Sequence, residues 1–323
     1  MHEHSLHLTR QNLHDHYCGR ISPILTIASG DVVNFETLDV DWTLEPQKDW
    51  GTPPPRMSRP KGSMGDGPPL SGPIYVQDSS PGDVLEVQIL EVRPKSWGWT
   101  KAGGRNFWPD LEFGADQDSP LLMNWTIDPD KNVAMSSVGV SIRIRPFMGM
   151  MGVCPASDGQ HEAWSPTAFG GNLDCKELNA GTSLFLPVGV EGALFSTGDG
   201  HAAQGDGELC GCAIECPMER VRLRFIVHKA QPIPFIHAKT SDSMITFGFD
   251  RDLKVAMAEA GNRMIDFMIS EYGVPNRAAA LCLCSCIVDF RITQVANPAY
   301  GVHAVLKLDQ ITQTKGKPSS HPN

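Results

Sequence analysis

Apolar and polar residues alternate in three stretches of the chain. Leu85, Val87 and Ile89 are interleaved with Glu86 and Gln88. Val140, Ile142 and Ile144 are interleaved with Ser141, Arg143 and Arg145, and Val221, Leu223 and Phe225 with Arg222 and Arg224. A period of two sends alternate side chains to opposite faces of a strand. Each stretch therefore predicts a strand with one buried and one wet face, the pattern of antiparallel sheets. The arginines then lie on solvated faces. Residues 183–188 (SLFLPV) predict a further strand. One segment changes period: Leu253, Met257, Ala260, Met264 and Met268 recur about every 3.6 residues and predict a helix, with Asp250 as N-cap and Gly273 and Pro275 as its stop. Asn276 is placed to cap a second, shorter helix.

Glycine (31) and proline (25) are spread through the 323 residues, as in chains of many short strands and turns. The Gly-Asp turn at Gly30-Asp31 is echoed at Gly82-Asp83, which points to shared turn chemistry at the start of two strands. Residues 49–72 are rich in Pro and Gly and read as a long loop of the kind that covers active sites. Residues 310–323 read as a polar tail. The expected fold is a β-rich α+β one: antiparallel or mixed sheets packed as sandwich or barrel-like layers, with a few helices in the C-terminal third. A β-rich region over 1–230 and an α/β region over 231–323 are expected to pack as one compact unit.

Charge narrows the function. Asp and Glu outnumber Lys and Arg by 37 to 27, so a general basic surface for nucleic acid is not expected. No apolar run approaches the ~18 residues of a membrane span. The N-terminus lacks the basic start and apolar core of a secretory signal, so a cytoplasmic protein is expected. His2, His4 and His7 are expected to sit on a frayed, solvated terminus. The nine cysteines, an odd number, read as reduced thiols. Cys210, Cys212 and Cys216, and Cys282, Cys284 and Cys286, read as small apolar residues on strand faces, because the CxxC pairing of zinc sites is absent.

The chemistry gathers in two Gly-rich blocks, Gly170-Gly171-Asn172-Leu173-Asp174 and residues 198–208 (GDGHAAQGDGE). Glycine lets backbone turn sharply and approach a ligand. Carboxylates on such turns suit metal binding and proton transfer. Asp199 and His201 share a face of an extended segment, as adjacent ligands of one ion would; Asp206 and Glu208 repeat the spacing. Glu215 stands in the otherwise apolar stretch 212–216, where a carboxylate must be paired, metal-bound or held at a raised pKa. A G-x-S-x-G elbow and a phosphate-binding Gly-rich loop are absent.

These blocks, with residues 70–76, 146–153, 186–195 and 213–215, resemble the acetamidase/formamidase family, and the resemblance runs from about residue 14 to 311. It implies hydrolysis of a small carboxamide to carboxylate and ammonia, a β-rich α+β fold, a homodimer or homotetramer, and a bound divalent metal, zinc before others. Asp174, Asp199, His201, Gln204, Asp206, Glu208 and Glu215 match the family's pattern, and His14 matches an N-terminal histidine of it. On this reading Asp174, Asp199, His201 and His14 hold the metal. Glu215, Glu208 and Asp206 are the candidate acid–base residues, and Asn172 and Gln204 bind the amide. The family's Pro-Pro-Arg-like stretch is replaced here by Ser165-Pro166-Thr167-Ala168-Phe169. The segment from Trp97-Gly98-Trp99 to Phe107-Trp108 reads as packing under a loop, or else as an aromatic wall for a larger amide. Two other readings fit the same residues: a non-catalytic small-solute binder stabilised by structural calcium, and an amidase with a cysteine nucleophile.

Overall fold

The computed structural model describes residues 1–103 and 120–312. A nine-stranded sheet runs from Glu3–Leu6 at one edge to Val288–Gln294 at the other. Its long central strands are Val84–Pro94 and Met218–His228, paired antiparallel. Leu85, Val87, Val221, Leu223 and Phe225 have no exposed surface. The alternation is therefore met, and the arginines of the second strand face outward to partners: Arg220 on Glu91, Arg222 on Glu3. This sheet continues past residue 230, since Ser183–Pro187 pairs with His237–Lys239.

A second sheet of six strands carries Gly170–Asn172, Phe147–Gly152, Phe195–His201, Leu70–Val76 and Leu13–His14 in that order, with Leu25–Ile27 pairing off its path. The two sheets share one apolar core, where Phe195 of the second meets Phe225 and Phe35 of the first at ring distances of 5.0 and 6.4 Å. The layers are those of a sandwich and not of a closed barrel. A smaller four-stranded sheet holds Ser141–Arg143 at its edge. Val140 is more than half exposed there because an edge strand of three residues has little to cover it, so the expected buried face is only partly formed.

Among the described residues the α-helices are α1 (Leu253–Tyr272) and α2 (Arg277–Ile287). Asp252, not Asp250, caps α1: its carboxylate accepts from Lys254 N at 2.8 Å, while Asp250 accepts from Asp252 N. The buried face is Ala256, Ala260, Met264, Ile265 and Met268, and Met257 is half exposed. Gly248 explains the close seating of the small residues, because a Cβ there would collide with Ala256 O. Gly273 ends α1 in the left-handed region (φ 65°), and Asn276 caps α2 as expected. Cys282, Cys284 and Cys286 lie on this helix and not on a strand, so Cys284 points inward while the other two are exposed.

The N-terminal histidines are not frayed. Glu3–Leu6 pairs parallel with Val32–Phe35, and Asp31 accepts from His2 N at 2.6 Å and lies 3.2 Å from His4 Nε2. The two Gly-Asp turns match in kind: Gly30 and Gly82 have φ of 95° and 94°, and Asp31 and Asp83 are buried acceptors of backbone N–H groups. The loop over 49–69 packs on Trp42 and Trp164, whose indoles donate to Gly67 O and Asp66 O.

Candidate active site

The strand Phe195–His201 is buried along its whole length between Phe147–Gly152 and Leu70–Val76. Asp199 lies within it at φ 57°, in the left-handed region, while Gly198 and Gly200 on either side keep their pairing to Met150 and Met148. Asp174 (φ 46°) and Glu208 (φ 47°) share this backbone conformation. It is sparsely populated by residues with a Cβ, and such strain concentrates where function requires a side chain to be aimed. The turn at Gly170 and Gly171 (φ 90° and 103°) delivers Asn172 and Asp174 to the same place.

Glu215 is fixed from two sides. Its backbone exchanges hydrogen bonds with Trp99 in both directions at 2.9 Å, and it bridges His201 on the other side. Gly98 is required for this approach, since a Cβ there would lie 2.7 Å from Glu215 O.

The side chains converge. His201 Nε2 lies 3.2 Å from both Asp199 Oδ1 and Glu215 Oε2, and its Nδ1 is 3.9 Å from Asp174 Oδ1. Two groups of ligand atoms each fall within 4.8 Å of one another: Asp174, His201 and Glu208, and Asp199, His201 and Glu215. Gln204 settles the imidazole tautomer. Its Nε2 donates to Asp174 O at 2.7 Å, so its Oε1 must accept, and His201 Nδ1–H donates to it at 2.9 Å. Nε2 then faces the carboxylates of Asp199 and Glu215. Glu215 Oε1 accepts from Ala213 N, whereas Glu215 Oε2 and Glu208 Oε2 are buried with no hydrogen-bond donor.

Electrostatics make this arrangement costly on its own. Burial, with the charge of Asp199 adding to it, raises Asp174 to about 7, and burial raises Asp199 to about 6. Glu208 is pushed well above the carboxylate range by burial and by Asp174. Burial opposes charge on His201, but Glu215 and Asp199 outweigh it and raise the imidazole well above its ordinary value. One imidazolium cannot neutralise this many carboxylates, so protons or a cation must do so.

Asn172 and Asn297 complete the inner wall. In the orientation its neighbours favour, the Asn172 amide nitrogen faces Asp174 Oδ1 at 3.3 Å and Asp199 Oδ2 at 3.2 Å. Asn297 Nδ2 donates to Asp174 Oδ2 at 2.7 Å. The sequence reading missed Asn297; its one signal, the pair Asn297-Pro298, reads as a turn.

Two residues expected in the site lie apart from it. Asp206 is turned to solvent and paired with Lys176 Nζ at 2.8 Å. His14 is occupied elsewhere, with Nε2 on Ser196 Oγ at 2.8 Å and Nδ1 on His16 O at 2.7 Å. Gln204 is present, but both ends of its amide are spent on His201 and Asp174, so it positions the imidazole and does not face a substrate. Cys175 and Cys216 are fully buried, and burial holds their thiols well above the ordinary range, which does not suit a nucleophile.

The cluster opens into a cleft of about 600 Å³ whose walls include Trp99, Trp164, Pro298 and Tyr300, with Asp174, Asp199, Glu208 and Glu215 at its base. Trp99 thus serves both readings: it packs, with Nε1 on Asp39 at 2.7 Å, and it forms wall. Phe107 and Trp108 lie outside the described residues.

Residues 2–165 and 159–309 match the Acetamidase/Formamidase family. The chain belongs to this family. Two curated members are similar to part of it. An acetamidase of Mycolicibacterium smegmatis is 30% identical over 45% of this chain and 50% of its own length. A putative formamidase of Schizosaccharomyces pombe is 29% identical over 45% of this chain and 48% of its own length. The chain thus matches about half the length of these relatives. The crystal structure of an acetamidase from Bacillus halodurans is 28% identical, with a TM-score of 0.80 over 94% of this chain and 98% of that one. This family member therefore shares its β-rich layered fold with a solved relative along nearly its full length.

Proposed function

We propose that this acetamidase/formamidase family member hydrolyses a carboxamide to a carboxylate and ammonia with the help of a divalent cation. The observation that carries the reading is the buried convergence of Asp174, Asp199, Glu208 and Glu215 on His201, with two carboxylate oxygens left without donors. An apolar interior does not hold such oxygens bare.

The residues fit a cation. The donors are carboxylate oxygens and an imidazole nitrogen, the set that suits zinc and its harder neighbours. Gln204 orients the imidazole as an outer hydrogen-bond partner does for a ligating histidine. Asp199, His201 Nε2 and Glu215 would hold it, with Asp174 beside Asp199 at the Asn172 amide. When bound, a divalent cation polarises a carbonyl and acidifies a water.

The remaining chemistry belongs to the chain. Glu208 lies on the cleft wall with Oε2 unengaged. A bound cation would offset the repulsion from Asp174 that helps to raise Glu208. Glu208 then takes a proton from the attacking water and delivers it to the departing nitrogen, so that the C–N bond breaks and ammonia leaves neutral. Asn172 and Asn297 hold Asp174 and Asp199 in place and exclude other conformers. Trp99, Trp164 and Tyr300 receive the acyl side chain, and their area favours an acyl group larger than acetyl.

Ammonia release across amides from formamide to aryl carboxamides tests this, with and without chelation and zinc restoration. Turnover of none of them, with divalent-ion binding retained, would leave a binding protein. Full turnover after chelation would remove the cation.

A further inference from the structure

The loop that carries Glu208 ends in a second chemical group. Cys210 and Cys212 flank Gly211, whose φ of 78° folds the tripeptide back, and Gly211 N donates to Glu208 O at 2.9 Å. The two sulfurs lie 3.9 Å apart, and Cys210 Sγ is 3.2 Å from Cys212 O. Both residues are half-buried, unlike Cys18, Cys154, Cys175, Cys216 and Cys284, which are buried. They are therefore not the small core residues that their spacing suggests. Gly211 and Cys212 line the cleft beside Glu215. Cys212 Sγ also accepts from Lys101 N at 3.2 Å and donates to Lys101 O at 3.3 Å, which ties the loop to the Trp97–Ala102 strand.

We propose that Cys210 and Cys212 are a redox-active dithiol at the cleft wall that hydrogen peroxide converts to an intramolecular disulfide. The sulfurs need to close by about 2 Å to reach bonding distance, a shift within reach of χ1 rotation on a glycine-centred turn. Cys210 is the attacking group because it sits at the outer end, next to exposed Leu209. Its sulfur attacks one peroxide oxygen, the O–O bond breaks, and Cys210 becomes a sulfenic acid as the first water leaves. Cys212 sulfur then displaces the hydroxyl, which departs with the Cys212 proton as a second water. Two sulfurs give up two electrons in all, and one O–O bond is reduced to two waters.

Closure takes Cys212 Sγ away from the Lys101 backbone. Lys101 Nζ stands 3.8 Å over the Trp99 ring and 2.7 Å from Asp41, and all three residues line the cleft. Oxidation therefore acts on the wall of the cleft. Formation of this disulfide does not depend on amide hydrolysis.

The test treats the full-length reduced protein with hydrogen peroxide, blocks remaining thiols with N-ethylmaleimide under denaturing conditions, and maps the peptides by mass spectrometry. The expected result is a Cys210–Cys212 peptide that has lost two hydrogens and takes no maleimide, while Cys282 and Cys286 are labelled; dithiothreitol restores both labels. Cys212→Ser, a near-isosteric change, should strand Cys210 as a sulfenic acid that dimedone captures, and Cys282→Ser should leave the disulfide unaffected. Maleimide on both Cys210 and Cys212 after peroxide, or pairing of either with another cysteine, would overturn the proposal.

Discussion

Gly149 lies against Asp199 so closely that a Cβ on it would stand 2.7 Å from Asp199 Oδ2, and 2.6 Å from Asp174 Oδ1. Its carbonyl also accepts from Leu173 N and Asp174 N at 2.8 and 3.1 Å. The residue thus sets the distance between the two aspartates and leaves the space they face. Gly149→Ala should push the carboxylates apart. A displacement of about 1 Å can lower turnover by about 10²-fold, and overpacking should reduce stability by about 1–3 kcal/mol. Circular dichroism should show the strands retained. Wild-type kcat in a folded Gly149→Ala protein would contradict the assignment of this space to the reaction.

Asp174 separates the stability of the cluster from its use. Without a cation it adds negative charge to a group that already repels itself, so Asp174→Asn should leave the melting temperature of chelated protein unchanged or higher. The isosteric amide can still accept from Asn297. Added zinc should stabilise the wild type by about 2.7 kcal/mol at a hundredfold excess over Kd, and the variant by much less. Thermal melts with chelator and with zinc give both numbers; a wild-type melt indifferent to every divalent ion tested would count against a cation site.

Much of the frame was legible because local rules and tertiary packing agree. Leu85, Val87 and Ile89 alternate and are buried, and the Gly-Asp turns repeat one geometry. Asp199 and His201 could be paired from their spacing because they lie on one strand. The same argument failed for Asp206 and Glu208, which lie in a turn: Glu208 swings inward at φ 47° and Asp206 outward to Lys176. Asn297 was invisible because it reaches Asp174 across 123 positions of chain, a contact that only the fold creates.

Acid should reveal Asp31. Burial works against its charge, but the N–H groups of His2 and Ala28 and the ring of His4 hold its pKa down at about 2. A carboxylate depressed in the folded state stabilises it at pH values above its unfolded pKa, near 4, and that contribution is lost as pH falls through about 2. Asp31→Asn should therefore destabilise the protein most near neutrality, and the difference from wild type should close as pH drops from about 4 to 2. Denaturant midpoints across pH measure it; a difference constant with pH would assign the effect to something other than this ionisation.

Glu208 and Asp206 are two residues apart, have similar chemistry, and should differ sharply on substitution. Asp206 makes one ion pair at the surface, with a side chain 29% exposed. Such pairs contribute about 0–1 kcal/mol, and nothing ties this carboxylate to the cleft, so Asp206→Asn should leave kcat/KM near the wild-type value. Glu208 is buried, lines the cleft and keeps one oxygen without a donor. Glu208→Gln preserves volume and removes the proton acceptor, and the loss expected of a positioned acid–base group is about 10²–10⁴-fold in kcat. KM should change little, because the amide side chain fills the same space. Equal losses for the two variants would show that charge near the loop matters and position does not; an active Glu208→Gln would move the proton transfer to another group, with Glu215 the next to test.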